Sequence, residues 1–241
     1  MIRLNKYLSM CGVTSRRGAD TLINEGRVAL NDEIVTRQGV VIDEDNDLVK
    51  VDGVEISLVK EKYYLVMNKP RQVMTTLNDP FKRKTIQHLL RKFPYRVYPV
   101  GRLDFDTSGV LLLTNDGDLA FRLAHPRYKI KKIYEALVQG HFKAESAERI
   151  GKGIELDDGA VGRAEVTVLG FVKKMTRLRL VLTEGRKREV RQLCKKVNHP
   201  VEELNRIEFA GISLKNLSSG SWRMLTDREV ERLQEMVGLK K

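Results

Sequence analysis

Two apolar periods alternate along this chain. Leu4, Tyr7, Leu8 and Cys11 recur at helical spacing up to Gly12, and Ser15 is placed to cap a second helix that carries Ala19, Leu22 and Ile23 and stops at Gly26. Short strands are predicted next, over 28–30 and 33–35 around Asn31-Asp32, then over 48–51 and 54–56 around Asp52-Gly53. A mixed segment, 58–62, reads as a short linker. From residue 63 the apolar runs lengthen. Strands are predicted over 63–67 (stopped by Asn68-Lys69-Pro70), 96–100, 110–114, 133–139, 164–171, 178–183 and 201–209. Helical spacing marks 118–124, 144–150, 187–197 and 227–237, with a short helix from a Thr85 cap through Leu90 and a capping box formed by Thr226 and Glu229.

Neighbouring strands without intervening helices, such as those flanking 170–177, argue for an α+β chain with a mixed, largely antiparallel sheet flanked by helices. The expected organisation is a small module of two helices plus short hairpins, residues 1–60, joined to a larger domain, residues 61–241. No internal repeat interrupts this pattern.

Charge separates the two parts further. The 241 residues carry a net charge of +12, a balance that favours a polyanionic partner, nucleic acid before membrane surface. Residues 1–60 hold 8 Lys and Arg against 10 Asp and Glu, while residues 61–241 hold 36 against 22. The electrostatic footprint therefore belongs to the larger part. Within the module, Arg3, Lys6, Arg16, Arg17 and Arg27 sit in the helical half, which makes that half the RNA-facing side. No apolar run is long enough to cross a bilayer, and the start has no signal-peptide core. Cys11 and Cys194 both fall on apolar helix phases, as reduced thiols do. A cytoplasmic protein is expected.

The candidate chemistry centres on Gly101–Gly117, a polar loop with Asp104 and Asp106 that runs into Val110, Leu111, Leu112 and Leu113, the pattern of a strand buried on both faces. Asp106, Thr107 and Ser108 read as turn residues accepting backbone hydrogen bonds, leaving Asp104 as the candidate. A second stretch, 184–194, places Val190, Leu193, Cys194 and Val197 on one helical face and Lys187, Arg188, Arg191 and Lys195 on another. A guanidinium from that basic face is suited to hold a loop carboxylate ionised and oriented. His88, His125, His141 and His199 lack metal-ligand spacing, no glycine loop closes on Gly-Lys-Ser/Thr, and no serine has a nucleophile-elbow context. Metal, nucleotide and hydrolase-triad chemistry are disfavoured, and no cofactor is expected.

The ordered motifs carry two resemblances. Arg-Leu-Asn-Lys-Tyr-Leu, Gly-Val-Thr-Ser-Arg-Arg, Ile-Asn-Glu-Gly-Arg-Val and Val-Asp-Gly resemble the small RNA-binding domain named after ribosomal small-subunit protein four. That resemblance implies RNA contacts at Lys6, Arg16, Arg17 and Arg27. Asn-Lys-Pro after the first strand of the larger part, Gly-Arg-Leu-Asp104 with Thr-Ser-Gly and Leu-Leu-Thr-Asn-Asp-Gly, Lys-Ile-Tyr134, Glu-Gly-Arg with Val-Arg191, and Arg206 before Gly211 are similar to the RsuA-like pseudouridine synthases. The likeness covers nearly the whole chain. It implies isomerisation of a uridine in ribosomal RNA without cofactor or metal, with Asp104 as the catalytic aspartate, Tyr134 as the aromatic that packs on the base, and Arg191 as the partner of Asp104. Lys69, Arg102, Arg186 and Arg188 are carried over as RNA-binding positions.

Phe-Pro-Tyr-Arg-Val-Tyr-Pro-Val before Gly101 is closer to the RluB-like, large-subunit branch than to the small-subunit enzyme. A monomer acting on ribosomal RNA, away from membranes, is the expected form. Two other classes fit parts of the pattern. One is a non-catalytic ribosome assembly factor, against which Asp104 speaks; the other is a glycosidase using Asp104 and Asp106 as its carboxylate pair, which the basic charge and 6% aromatic content disfavour.

Overall fold

The computed structural model describes residues 1–240, and the chain divides into two units, residues 1–62 and residues 63 onward. In the first, helices Leu4–Met10 and Arg16–Asn24 pack Leu4, Tyr7, Leu8, Ala19 and Ile23 against Val28, Val49 and Val51 of a four-stranded antiparallel sheet. The Ser15 hydroxyl caps the second helix, accepting from the Gly18 amide at 3.0 Å. A pairing of Ile2–Arg3 with Val41–Ile42 has no counterpart in the predicted elements, because two residues are too few to display a period.

The second unit is built on a nine-stranded sheet. Its main path runs 165–172, 175–182, 132–139, 201–209, 107–114, 64–69 and 222–224, with Ile212–Ser213 and Tyr98–Pro99 beside it. One pair, Thr107–Thr114 with Val201–Phe209, is parallel and the others are antiparallel, which is the mixed, largely antiparallel sheet that the spacing predicts. The central strand is apolar on both faces. Val110 and Leu112 join a core with helices Gly117–Ala124 and Asp227–Met236, while Leu111 and Leu113 join another with Leu65, Met67 and Ile86. A third core lies where helices Ala144–Lys152 and Glu189–Lys196 cover strands 132–139 and 175–182.

The parallel pair depends on Gly109. Its φ is +109°, and a Cβ there would stand 2.2 Å from the Arg206 carbonyl oxygen, so a larger residue would push the two strands apart.

Several boundaries differ from the predicted ones for identifiable reasons. The first strand of this unit continues past Met67 through Lys69, because Asn68 and Lys69 pair with Val110 and Gly109. The central strand starts at Thr107, so Thr107 and Ser108 belong to the sheet rather than to a turn. The basic helix starts at Glu189, since Arg188 sits in the left-handed region at φ +52°. Strand Trp222–Met224 is short and half-exposed; its pairing with Leu65–Met67, not its own pattern, makes it a strand.

Candidate active site

Asp104 stands on the connection between strand Tyr98–Pro99 and strand Thr107–Thr114, and the backbone on both sides of it is tied down. Gly101 turns the chain at φ +69°. The Thr75 hydroxyl donates to the Leu103 carbonyl at 2.6 Å and accepts from the Leu103 amide at 3.3 Å. The Gln72 amide donates to the Phe105 carbonyl at 2.7 Å, and the Thr107 amide to the Asp104 carbonyl at 3.1 Å. The segment after Pro70 thus clamps the aspartate loop, which gives Asn-Lys-Pro a structural role beside Asp104.

Lys69 belongs to that clamp. Its side chain is fully buried, with Nζ donating to the carbonyls of Pro70 at 2.9 Å and Val73 at 2.8 Å. Burial pushes its pKa down to about 8, against the opposing pull of Asp104 and Asp106. This corrects the assignment of Lys69 to RNA: an ammonium spent on two buried carbonyls presents nothing to a phosphate.

The expected pairing of Arg191 with Asp104 is also corrected. Arg191 Nη2 lies 3.0 Å from Asp106 Oδ2 and donates to the Asp106 carbonyl at 3.2 Å, while Nη1 donates to the Val201 carbonyl at 3.0 Å. Arg188 Nη2 approaches the same Asp106 oxygen at 3.5 Å. Topology explains the exchange. Asp106 immediately precedes strand 107–114, Val201 opens the parallel neighbour, and helix Glu189–Lys196 leads into that neighbour. Arg191 therefore bridges the two strand starts, and Asp106, read from sequence as a turn residue, is the carboxylate the fork holds.

Asp104 opens into a cavity of about 310 Å³. Tyr134, Arg102, Arg186 and Arg188 line the same cavity. Tyr134 is placed by strand 132–139, opposite Leu180 on one side and Arg206 on the other. Arg186 is also drawn to Glu184 at 2.9 Å and Asp158 at 3.8 Å. Three buried charged residues that the spacing argument passed over share this wall, Lys132, Glu189 and Arg206. Lys132 Nζ donates to the carbonyls of Ile130 at 3.0 Å and Thr183 at 3.3 Å, and burial pushes its pKa down to about 8. Burial pushes the Glu189 carboxyl up, and it accepts the Arg186 amide at 2.9 Å. A signal for one of them existed in the sequence: Lys132 shares the alternate phase of Tyr134, Ala136 and Val138. A charge on an apolar strand phase is a buried charge.

In the first unit Lys6, Arg16 and Arg17 are exposed. Arg27 is exposed but committed, its guanidinium paired with Asp52 at 2.6 and 2.8 Å and with Glu25 at 3.3 Å. Among the described residues no group of three or more His, Cys, Asp or Glu could hold a metal ion, and no helix is long and apolar enough to cross a membrane.

Known proteins share this architecture. A family model described as RNA pseudouridylate synthase matches residues 63–196, and an S4 domain model matches residues 2–49. An RNA pseudouridine synthase of Aquifex aeolicus is 44% identical over 99% of this chain and 96% of its own length. The ribosomal large subunit pseudouridine synthase B of Bacillus subtilis is 40% identical over 98% of this chain and 97% of its own. A crystal structure of a pseudouridylate synthase superposes with a TM-score of 0.69 at 25% identity, covering 97% of this chain and all of that one. With one family model over more than half of its length and these relatives over nearly all of it, the chain belongs to the RNA pseudouridylate synthases and carries an N-terminal S4 domain.

Proposed function

We propose that this pseudouridine synthase acts on a uridine of large-subunit ribosomal RNA, with Asp104 as its catalytic carboxylate and Tyr134 as the aromatic that receives the flipped base. The reaction exchanges a C–N for a C–C glycosidic bond. The bond from C1′ to N1 breaks, the uracil turns, and C5 bonds to C1′; the proton lost from C5 is balanced by one gained at N1. A carboxylate at the anomeric carbon serves either as nucleophile or as charge stabiliser. Because both reacting atoms are hidden while the base is stacked, the nucleotide must turn out of the RNA, and an aromatic wall compensates for the lost stacking.

The observation that carries this reading is the meeting of Asp104 and Tyr134, thirty positions apart in sequence, in one cavity rimmed by Arg102, Arg186 and Arg188. Exposed guanidiniums at such a rim suit the phosphates on either side of a flipped nucleotide. Arg191 fits a positioning role, since it ties Asp106 to the parallel strand and so sets where the loop carrying Asp104 begins. Exposed Lys6, Arg16 and Arg17 are assigned to the RNA backbone, and Lys69 and Arg27 are not. The large-subunit target rests on the name of the Bacillus subtilis relative. No metal or organic cofactor enters this reading, and the protein is taken to act as a monomer.

The test is to incubate the full-length protein with large-subunit and small-subunit ribosomal RNA transcripts and map pseudouridine at nucleotide resolution. Product at a single large-subunit position is expected. Product in small-subunit RNA alone would overturn the target assignment, and unchanged activity in Asp104→Asn would overturn the residue assignment.

A further inference from the structure

Arg206 is 2% exposed, deeper than any other arginine of the chain, yet no carboxylate is paired with it among the described residues. Its Nε donates to the Val110 carbonyl at 2.8 Å, its guanidinium carbon lies 4.6 Å from the centre of the Phe209 ring, and its Nη2 is buried without a hydrogen-bond partner. A buried cation normally finds an anion or enough acceptors to replace its hydration. Here one carbonyl and a ring face are supplied, and a donor is left over.

Its position on the sheet says what the residue adjoins. Arg206 lines the cavity that holds Asp104 and Tyr134. On the sheet it lies between Tyr134, its partner on one neighbouring strand, and Gly109, its partner on the other, five residues beyond Asp104. The nearby Lys132 differs in that two of its three ammonium protons already go to carbonyls.

We propose that Arg206 is the base-reading residue of this cavity, donating from the terminal guanidinium nitrogen that is not sealed by the protein, Nη1, to a carbonyl oxygen of the flipped uracil. This rests on the cavity being the place where the uridine turns. Uracil presents two carbonyl acceptors, O2 and O4. When the C1′–N1 bond opens with its electron pair on nitrogen, the base carries one negative charge shared among N1, O2 and O4, and the charge disappears once C5 is joined and N1 is protonated. A fixed donor in a dry site strengthens as that charge develops and needs no rearrangement to do so. A backbone phosphate is the weaker candidate partner, because Arg206 lies beneath the cavity while Arg102, Arg186 and Arg188 occupy its exposed rim.

The test uses the full-length protein and a short RNA around the mapped position, with the target as uridine, 2-thiouridine or 4-thiouridine, or with a methylphosphonate beside it. Sulfur accepts hydrogen bonds poorly. For the wild type, one of the two thio substitutions is expected to slow single-turnover isomerisation about tenfold. Arg206→Gln is expected to lower the uridine rate about 10²-fold, the scale of losing one preorganised donor, and to show no added penalty from sulfur. Arg206→Lys, which keeps the buried charge, is run in parallel in case the glutamine variant does not fold. A sulfur penalty undiminished in the folded variant would overturn the assignment, as would a wild type indifferent to both thio substitutions. So would a variant that loses the methylphosphonate penalty instead, since that assigns Arg206 to phosphate. A wild type that forms no pseudouridine on the unmodified RNA would overturn the underlying reading as well.

Discussion

The two units treat charge in opposite ways. In residues 1–62 the ion pairs lie at the surface, as in Arg27 with Asp52 and Lys50 with Asp32, and among the described residues no charged side chain is buried. The larger unit buries Lys69, Lys132, Glu189 and Arg206, all close to the aspartate loop or its cavity. Surface charge is inexpensive and exchangeable, so it suits adhesion to a polyanion, whereas a buried charge costs stability and persists where something depends on it. The small unit carries its charge at the surface, and the larger one adds a charged interior beside the cavity proposed to receive the uridine.

The contrast predicts that the largest single effect comes from Asp104→Asn. Turnover should fall by about 10³-fold or more, the scale of removing a nucleophile or main charge stabiliser. Affinity for RNA, measured by filter binding, should stay within about twofold. A variant that lost affinity and turnover together would break the division between gripping and reacting.

Asp106→Asn should separate the two loop carboxylates. It strips the fork of Arg191 of its carboxylate, and because the Arg191 side chain is 11% exposed the loss should be about 1–3 kcal/mol, less than for a fully buried pair because Asp106 is partly solvated. Thermal unfolding should register it, while turnover falls far less than in Asp104→Asn. An unchanged Tm with dead chemistry would exchange the roles of the two aspartates.

The buried lysines sharpen the contrast through pH. Lys69 and Lys132 have folded pKa values of about 8 against an ordinary 10.5. Below pH 8 both are charged in either state, and the folded protein carries the full desolvation cost. Between pH 8 and 10 the folded state gives up protons that the unfolded state keeps, so this contribution to stability rises with pH, by a few kcal/mol at most. Denaturant titrations at pH 7.5 and 9.5 should show that Lys69→Met flattens the rise. An equal slope in variant and parent would assign it elsewhere.

The smallest effect belongs to the first unit. Arg16→Ala and Arg17→Ala in the full-length protein should each weaken RNA binding modestly and reduce the log–log salt slope by about 0.7 to 0.9 if one phosphate contact is lost. The single-turnover rate on saturating RNA should not change. A fall in that rate would mean the small unit also shapes the cavity.

Much of this architecture was legible in the chain before any coordinates. Period 2 and period 3.6, capping residues such as Ser15 and Thr226, and the unbroken Val110–Leu113 run are local signals, and local signals decide which segments become helix or strand. The same order of motifs led to the family. What sequence could not resolve was who meets whom. Whether Arg191 reaches Asp104 or Asp106 is set by one parallel strand pair, held close by Gly109, that brings residues 97 positions apart side by side. Lys69 and Arg206 look like ordinary basic residues in a basic chain. Only burial, created by neighbours on other strands, turns the first into a clamp and leaves the second with an unpartnered donor in the wall of the cavity, because desolvation is a property of the assembled sheet and not of any segment in it.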